Sequence, residues 1–203
     1  MKIFCVGRNY SEHARELKNE IPGEPVIFMK PPTALLSNQK DFYYPAFTSD
    51  LHYEGELVLR LGKGGRSVQE KFALSYIDAI TTGIDFTARD LQQKQKEKGL
   101  PWEIAKGFDY SAVIGDWKAF DSIKDPSHIS FQLKKNNSIV QQGNNSEMIF
   151  PFEKIIAYLS VFFTLQTGDI IFTGTPSGVG PVQIGDILDG TLEGDEVLHC
   201  RIR

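Results

Sequence analysis

The sequence predicts an α+β fold in one domain, made of many short strands and a few peripheral helices. Short apolar segments alternate with turns rich in Gly, Pro and Asn along most of the chain, which is typical of strands. Only a few segments carry apolar residues at helical spacing. The length of 203 residues allows a core that buries roughly 70% of the surface of the unfolded chain. Since there is no internal repeat or linker, a single domain over residues 1–203 accounts for the whole sequence.

The composition argues against several classes of protein. Hydrophobic residues make up 41% and charged residues 24% of the chain, as in ordinary globular domains. The net charge of −4, without a basic run, argues against nucleic acid or an anionic membrane as a partner. No apolar stretch approaches the roughly 20 residues of a membrane-spanning helix. The N-terminus lacks the features of a signal or transit peptide, so we expect a cytoplasmic protein in which Cys5 and Cys200 are reduced and buried, with a disulfide between them as the alternative.

The N-terminal region predicts a helix that carries a paired histidine. Asn9 and Glu12 have the spacing of a capping box, which predicts a helix over residues 10–18. On that helix His13 and Glu16 are neighbours, so the carboxylate can hold the imidazole in one tautomer and raise its basicity. A histidine held in this way can take a proton from water. An ordinary solvent-facing His–Glu contact is the alternative.

The remaining strands are predicted from periodicity and turn residues. A loop rich in Pro and Gly at 19–25 follows the first helix, so helix and loop together make residues 10–25 a candidate mobile lid. Strand character is predicted for residues 2–6, 26–29, 33–36, 43–45, 51–61, 76–86 and 168–172, for a hairpin over 131–141 that turns at Asn136-Asn137, and for a meander over 185–202.

Three further helices are predicted after residue 66. Ser67-Val68-Gln69-Glu70 has the pattern of a capping box that opens a short helix. A second helix begins at Thr87–Asp90, runs through Glu97 and ends at Gly99; it is polar almost all round, so we expect it outside the core. A third helix over 152–165 directs four apolar side chains to the core, namely Ile155, Ile156, Leu159 and Phe162.

Three acidic residues form the candidate functional centre. In an extended strand Glu54 and Glu56 point to the same side, and Asp85 ends a later strand. Neighbouring carboxylates repel each other, and a proton, a Lys or Arg, or a divalent cation would relieve that repulsion. Three carboxylates without Cys or His suit a hard cation such as Mg²⁺ or Mn²⁺. The alternative is that the two glutamates belong to the solvated face of an amphipathic strand.

Two further segments carry candidate substrate contacts. Lys106 lies in a loop over 100–109 and can meet a substrate oxyanion, because three acids leave room for a cation besides a divalent ion. Thr175 lies in a glycine-rich turn over 173–181 whose backbone N–H groups can approach an anion closely. A solvated lysine and an ordinary tight turn are the alternatives. Lys30, at the end of a strand, is either a surface residue or an anion contact.

Five motifs in chain order resemble one enzyme family. They are Gly7-Arg8-Asn9-Tyr10 with His13 and Glu16, His52-Tyr53-Glu54-Gly55-Glu56, Asp85-Phe86-Thr87-Ala88-Arg89-Asp90, Gly99-Leu100-Pro101-Trp102 with Lys106, and Phe172-Thr173-Gly174-Thr175-Pro176-Ser177-Gly178-Val179-Gly180. Over nearly the whole chain they are similar to the fumarylacetoacetate hydrolase family, in the short branch that includes acylpyruvate hydrolase and oxaloacetate decarboxylase. One departure is Gly55, where relatives often carry a larger apolar residue and where Gly can loosen the strand.

The resemblance implies a role for each motif residue. Glu54, Glu56 and Asp85 would bind Mg²⁺ or Mn²⁺, and Lys106 would contact the substrate at the metal. His13 and Glu16 would activate water on a helix that orders over the site. The implied substrate contacts are Thr175, which would hold the carboxylate, and more weakly Arg8, Lys30 and Arg89.

The resemblance also implies a fold and an activity. The fold would be a multilayered mixed β roll with a few peripheral helices, in a homodimer. The activity would be hydrolysis of a carbon–carbon bond in a 2,4-dioxo acid, giving pyruvate and a carboxylic acid. Decarboxylation or tautomerisation of oxaloacetate, or isomerisation of a 2-oxo diacid, would use the same metal site. From a different class, the chain could be a non-catalytic β module that binds a metal or a carboxylate.

Overall fold

The computed structural model describes residues 1–11, 22–37 and 40–203. Among these residues the α+β prediction is confirmed, because three β-sheets form the body of the protein and the helices are short and few. The strands are β1 Ile3–Gly7, β2 Val26–Lys30, β3 Leu35–Ser37, β4 Leu51–Tyr53, β5 Gly55–Leu61, β6 Ile77–Asp85, β7 Thr87–Ala88, β8 Ala112–Ile114, β9 Lys118–Ala119, β10 Ser130–Lys135, β11 Ser138–Asn144, β12 Ile170–Phe172, β13 Gly180–Pro181, β14 Ile187–Leu192 and β15 Asp195–Arg201.

The described α-helices lie between these strands. They are α1 Glu70–Ala73, α2 Arg89–Lys98, α3 Glu103–Lys106 and α4 Phe152–Phe162. Single 3₁₀ turns occur at Pro32–Ala34, Leu74–Tyr76, Phe120–Ser122 and Asn145–Glu147. None of the described helices is long and apolar enough to cross a membrane.

The largest sheet places the acidic residues at its centre. Its order is β2-β1-β12-β5-β6-β8-β3, with β9 on β6. Strand β5 is buried on both faces: Leu57 and Leu59 belong to the main apolar core, and Val58 belongs to a second core cluster on the other face. The antiparallel register sets Glu56 opposite Gly83, and the Asp85 N–H donates to the Glu54 carbonyl at 2.8 Å. Two segments distant in sequence therefore deliver their acids to one place.

The chain changes sheet at Glu54. Strand β4, before it, belongs to a three-stranded sheet of order β13-β4-β7, whereas β5, after it, belongs to the eight-stranded sheet. A single strand over 51–61 was predicted, and that prediction is wrong at this residue. The alternation of apolar and polar residues runs through the break, so sequence pattern alone does not reveal it. The four-stranded sheet, β11-β10-β14-β15, packs beside this junction.

Several turn predictions are confirmed by backbone angles. Asn136 and Asn137 both have positive φ, 50° and 67°, as a tight two-residue hairpin turn requires. Gly99 ends α2 with φ 63° in the left-handed region. The β14–β15 hairpin turns at Glu193 and Gly194, inside the predicted meander. Both cysteines are free and buried, as expected for reduced thiols.

Other local predictions are wrong, each because tertiary contacts override a local pattern. Residues 67–70 form no capping box: helix α1 begins after Gln69 without a side-chain cap. Helix α2 lies partly inside, since Gln92 and Gln95 are buried. Phe162 of α4 is 58% exposed, although the other three predicted core residues of that helix are buried. Segment 43–45 forms no strand; next to it Phe42 makes one isolated bridge to Ile202.

The predicted helix over 10–18 and most of the predicted lid lie outside the described residues. Asn9, its predicted cap, has a fully buried side chain. Its amide donates to the carbonyls of Phe150 at 3.0 Å and Thr173 at 2.8 Å, and its oxygen accepts from the Phe150 N–H at 2.8 Å. Asn9 thereby ties the end of β1 to the turn that follows β12.

Candidate metal centre

Three carboxylates converge where β4, β5 and β6 meet. One carboxylate oxygen from each of Glu54, Glu56 and Asp85 lies within 4.8 Å of the other two, and all three side chains are buried. This arrangement disfavours the alternative of a solvated strand face. It brings together the three residues that the sequence analysis assigned to a metal.

Cationic side chains surround two of the three acids, and we call this group the charged wall: Glu54, Asp85, Lys30, Lys106 and Arg89. The Lys106 ammonium donates to Glu54 Oε2 at 2.9 Å and to Asp85 Oδ2 at 2.7 Å. Lys30 Nζ lies 2.6 Å from Asp85 Oδ1, and Arg89 Nη2 lies 2.8 Å from Glu54 Oε1. Three positive charges therefore compensate the buried acids of this group.

The third acid, Glu56, has no such compensation. Among the described residues no cationic side chain forms an ion pair with it, and its Oε2 accepts a hydrogen bond from the Gly174 N–H at 2.7 Å. Burial raises the pKa of Glu56 well above its usual value, and the charges of Asp85 and Glu54 raise it further. A cation beside Glu56 would remove this penalty.

The donor set fits a divalent metal. The buried Asp85 Oδ1 forms an ion pair with Lys30 Nζ at 2.6 Å, and as a carboxylate oxygen it has a second lone pair to offer to a metal. Oxygen ligands from carboxylates are those that hard divalent cations prefer. The cavity above the acids has a volume of about 40 Å³, which is enough for an ion with a small ligand atom or water.

Lys106 is a permanent cation in this site. Burial by itself would lower the pKa of its ammonium, but the charges of Asp85 and Glu54 outweigh burial and raise that pKa. Helix α3 carries Lys106 in its last turn, and its carbonyl accepts from both Lys30 Nζ and Ser111 Oγ. The side chain can therefore supply positive charge and hydrogen bonds, but it is not a base.

A second group of residues, which we call the neutral wall, lies on the opposite side of Glu56: Gly55, Gln141, Gly174 and Thr175. The Thr175 hydroxyl donates to the Gly55 carbonyl at 2.8 Å and accepts from Gln141 Nε2 at 2.8 Å. Gly174 adopts φ 103°, and a Cβ there would lie 2.7 Å from Asn9 Cβ, so only glycine fits. The wall holds the glycine-rich turn against β5 through uncharged hydrogen bonds.

Three of the predicted substrate contacts line the cavity, and Lys30 does not. Lys30 is fully buried and donates to the carbonyls of Lys106 and Ser111, so it supports the charged wall from beneath. Arg8, with φ 59°, and Arg89 line the cavity together with Thr175. His13 and Glu16 lie outside the described residues, so their predicted role remains a prediction.

Sequence reasoning missed several residues of the cavity. Gln92 and Lys96 line it from α2, and Phe28 and Trp102 line it from β2 and the loop before α3. Arg89, Gln92 and Lys96 are spaced i, i+3 and i+7, so they share one face of α2, and Arg89 Nη1 donates to Gln92 Oε1 at 2.7 Å. This polar stripe was the available signal. The helix was predicted to lie outside the core because its polar side chains were assumed to be exposed to solvent.

Comparisons with known proteins agree in one family. The family model described as fumarylacetoacetate (FAA) hydrolase C-terminal matches residues 2–203. The mitochondrial oxaloacetate tautomerase FAHD1 of Homo sapiens is 43% identical over 192 residues, covering 95% of this chain and 87% of the relative. The mitochondrial oxaloacetate decarboxylase of Dictyostelium discoideum is 42% identical over 208 residues, covering 98% and 95%.

A solved structure of similar fold contains a metal. The crystal structure of fumarylpyruvate hydrolase from Pseudomonas aeruginosa in complex with Mn²⁺ and pyruvate matches with a TM-score of 0.94 at 37% identity. The match covers 100% of this chain and 89% of that chain. A divalent ion and a small oxo acid are thus bound by a close structural relative.

Proposed function

The chain belongs to the fumarylacetoacetate hydrolase family, and from that premise we propose that it is an Mg²⁺- or Mn²⁺-dependent hydrolase of a 2,4-dioxo acid. The reaction cleaves a carbon–carbon bond and gives pyruvate and a carboxylic acid. The observation that carries the proposal is the convergence of Glu54, Glu56 and Asp85, with the Lys106 ammonium bonded to two of them.

The three carboxylates would hold the ion, and Lys106 would act beside it. A divalent ion held by these carboxylates would supply a Lewis acid for the 2-oxo carbonyl and would stabilise negative charge on its oxygen. Lys106 adds a fixed ammonium at the same place, because Asp85 and Glu54 keep it protonated. Preorganised positive charge of this kind favours an enolate leaving group.

Water attack requires a base, and we assign this role to His13 with Glu16 as its partner. His13 takes a proton from water, and the hydroxide adds to the distal carbonyl carbon. The bond between that carbon and C3 then breaks, so the acyl group leaves as a carboxylic acid. C3 keeps the electron pair as the enolate of pyruvate and receives the proton that His13 took from water, which restores the neutral base. One water is consumed, and no oxidant is needed.

Charge favours a substrate with two carboxylates. In the charged wall two carboxylates face three cations, and Arg8 and Lys96 add positive charge around the cavity. Burial lowers the pKa of Lys96, and the neighbouring charges of Arg89 and Arg8 lower it further. A dianion such as fumarylpyruvate or oxaloacetate suits this field better than a monoanion such as acetylpyruvate.

Oxaloacetate chemistry is the second candidate, and the names of two relatives favour it. The human relative at 43% identity is named a tautomerase and the Dictyostelium relative at 42% a decarboxylase. Neither reaction needs water attack: decarboxylation releases CO₂ from C4 and leaves the enolate of pyruvate, whereas tautomerisation moves a proton between C3 and the 2-oxo oxygen and keeps the C4 carboxylate. Decarboxylation would need Lys106 and the ion but not the His13 base, whereas tautomerisation also needs a group that takes the proton from C3.

One set of assays separates these activities. The purified protein is incubated with Mg²⁺ or Mn²⁺ and with fumarylpyruvate, acetylpyruvate or oxaloacetate in turn. Hydrolysis gives pyruvate and an acid without CO₂, and decarboxylation gives pyruvate and CO₂. Tautomerisation changes the enol absorbance without release of pyruvate or CO₂. We expect pyruvate from fumarylpyruvate, and loss of all activity with a chelator. No turnover of any of the three acids would exclude the proposal.

The role of His13 has its own test. His13→Ala should lower hydrolysis of the dioxo acid by about 10²-fold or more, as for loss of a general base. Decarboxylation of oxaloacetate should change little. His128→Ala is the matched control, because His128 is an exposed histidine on a loop. Unchanged hydrolysis in His13→Ala would remove His13 from the mechanism.

The assembly and cellular location are part of the proposal. We propose a homodimer on the basis of the family resemblance, and a cytoplasmic location because both cysteines are free and buried. Light scattering of the purified protein tests the dimer. Fractionation of cells tests the location, and the mitochondrial names of several relatives give the result that would contradict it.

A further inference from the structure

The side chain of Gln141 joins the two structural parts that meet at the neutral wall. Gln141 comes from β11 of the four-stranded sheet and is only 2% exposed. Its Oε1 accepts from the Gly55 N–H at 2.8 Å, between the two glutamates of the metal centre. Its Nε2 donates to Thr175 Oγ1 at 2.8 Å and to the Pro176 carbonyl at 3.0 Å. One amide therefore contacts both the strand of the ligands and the glycine-rich turn.

The orientation of this amide is fixed by its partners. Gly55 N–H can only donate, so it must face Oε1, and the Pro176 carbonyl can only accept, so it must face Nε2. A flipped amide would set donor against donor and acceptor against acceptor. Because Gln141 donates to the Thr175 hydroxyl, that hydroxyl must direct its own proton to the Gly55 carbonyl.

Glycines let the turn and the strands come close enough for this contact. A Cβ at Gly178 would lie 2.3 Å from the Val140 carbonyl oxygen, and one at Gly143 would lie 3.1 Å from Pro176. At Gly55 a Cβ would lie 3.1 Å from Gln141 Oε1 and 3.2 Å from Leu133. The space that a larger residue at position 55 would need is therefore filled by Gln141 and Leu133, so Gly55 does not leave the strand loose.

The hydrogen bonds of Thr175 change its expected role. Its hydroxyl proton is already committed to Gly55, so the hydroxyl is not a spare donor for a substrate carboxylate. No described residue accepts a hydrogen bond from the Thr175 N–H, and Thr175 lines the cavity of the metal centre. If the turn binds an anion as expected, the donor at Thr175 is thus its backbone N–H. The position of the turn sets the direction of that N–H.

We propose that Gln141 is a positioning residue of the site: its amide locks the turn of Thr175 onto Gly55 and so aims the Thr175 N–H at the carboxylate of the 2-oxo acid. This inference rests on the proposed function, since it assumes that a 2-oxo acid binds over Glu54, Glu56 and Asp85. Gln141 itself touches neither the acids nor the cavity. Its effect is on substrate binding and not on the metal.

Gln141→Leu tests this assignment, with Gln142→Leu as the matched control. Gln142 is the next residue of β11, has the same side chain, and is exposed on the other face of the strand. For each protein we would measure Mn²⁺ affinity by calorimetry, pyruvate affinity of the Mn²⁺-loaded form, KM and kcat with fumarylpyruvate and oxaloacetate, and the Tm.

Gln141→Leu removes three buried hydrogen bonds and should weaken pyruvate binding and raise KM by about tenfold, because only part of their free energy acts on the position of the Thr175 N–H. The kcat should change by less than about threefold, because Lys106 and the acids are untouched. Mn²⁺ affinity should change by less than about twofold, since Glu56 is held by Gly174 and Glu54 by Arg89 and Lys106. Gln142→Leu should leave all four quantities unchanged.

Thr175→Val supports the test from the other side of the same contact. It keeps the volume of the side chain but removes the bonds to Gln141 and Gly55. If Gln141→Leu fails to fold, Thr175→Val alone should give the same rise in KM. If both fold, the double variant should be no worse than the more affected single variant, because both break one clamp.

Distinct results would overturn the inference and the proposed function. If the wild-type protein binds and turns over a 2-oxo acid, but Gln141→Leu has a native KM, the inference fails alone. It also fails if Mn²⁺ affinity falls as much as pyruvate affinity, since Gln141 would then support the metal strand. If the wild-type protein neither binds pyruvate nor turns over any 2-oxo acid, the proposed function fails and the inference with it.

Discussion

The charged wall and the neutral wall hold the same cavity by different physical means. In the charged wall Lys106 and Lys30 neutralise buried carboxylates at 2.6–2.9 Å, in surroundings where charge is expensive to leave unpaired. In the neutral wall Gln141, Thr175 and Gly55 exchange hydrogen bonds of 2.8 Å without any charge. One wall carries the chemistry, and the other sets its geometry.

This difference predicts how each wall responds to mutation. Removal of one partner from a buried ion pair leaves an uncompensated charge, and the cost is large. Removal of one neutral hydrogen bond usually costs much less. Variants in the charged wall should therefore affect stability, metal binding and turnover together, whereas variants in the neutral wall should affect mainly the affinity for substrate.

The largest effect is expected for Asp85→Asn. The change removes a metal ligand and leaves the ammonium groups of Lys30 and Lys106 facing a neutral amide. Mn²⁺ binding and turnover should become undetectable by calorimetry and by pyruvate release. The loss should exceed the roughly 10–100-fold that is typical for the outer partners of metal ligands.

The matched control is Asp78→Asn on the same strand. Asp78 is exposed and pairs with Arg60 at 2.9 Å, so its loss should cost about 1 kcal/mol or less and leave Mn²⁺ affinity intact. Metal binding by Asp85→Asn with native affinity would show that Asp85 is not a ligand and that the charged wall is purely structural.

A smaller effect is expected for Lys106→Met. Turnover should fall by about 10²-fold, as for loss of one preorganised donor to a developing oxyanion. The metal-free protein should lose roughly 3–5 kcal/mol of stability, because Glu54 and Asp85 lose a buried counter-charge, and Mn²⁺ should restore part of it.

Chemical denaturation with and without Mn²⁺ measures this change, and Lys98→Met on the exposed end of α2 is the control. If Lys106→Met keeps wild-type kcat, the charged wall serves only stability. If its stability is native while kcat falls, the ammonium contributes to chemistry alone.

The smallest effect is the pH dependence of metal stabilisation. The pKa of Glu56 is raised in the folded protein, so this group favours folding below its unfolded pKa, and the contribution is lost as pH rises through the folded pKa. An ion binds the deprotonated carboxylate and removes this penalty. The increase in Tm caused by Mn²⁺ should therefore grow as pH rises above the usual pKa range of a glutamate.

Glu56→Gln should flatten this dependence, because the amide neither titrates nor supplies a carboxylate ligand to the ion. Differential scanning fluorimetry across the pH series measures both proteins. The same slope in wild type and Glu56→Gln would assign the dependence to another group and would remove Glu56 as the uncompensated acid of the centre.

Much of the centre could be predicted from sequence because its signals are local. Glu54 and Glu56 are two residues apart, and Asp85 ends a strand of clear periodicity, so β-pairing needs only to bring those two strands together. The hairpin at Asn136-Asn137 and the helix end at Gly99 also follow from positive φ at single residues. Where backbone geometry depends on the residue itself, sequence reasoning is sufficient.

The rest depends on contacts between distant segments. Gln141 contacts Gly55, which is 86 residues away in sequence, and Lys30 contacts Lys106, which is 76 residues away. No pattern in the local sequence predicts either contact. Lys30 was predicted as a substrate contact; in the structure its ammonium pairs with Asp85 and donates to two carbonyls. The inner face of α2 was missed for a related reason: a buried polar stripe and an exposed one have the same sequence pattern.

The break of the chain at Glu54 has a mechanical consequence. Glu54 directly follows β4 of the three-stranded sheet, whereas Glu56 and Asp85 belong to the eight-stranded sheet. An ion bound by all three would therefore connect two sheets that are hydrogen-bonded separately. Amide protons of 51–54 should then exchange faster in the metal-free protein than those deep in β5. The exchange rate of these amide protons would therefore report whether the ion is bound, even when no substrate is present.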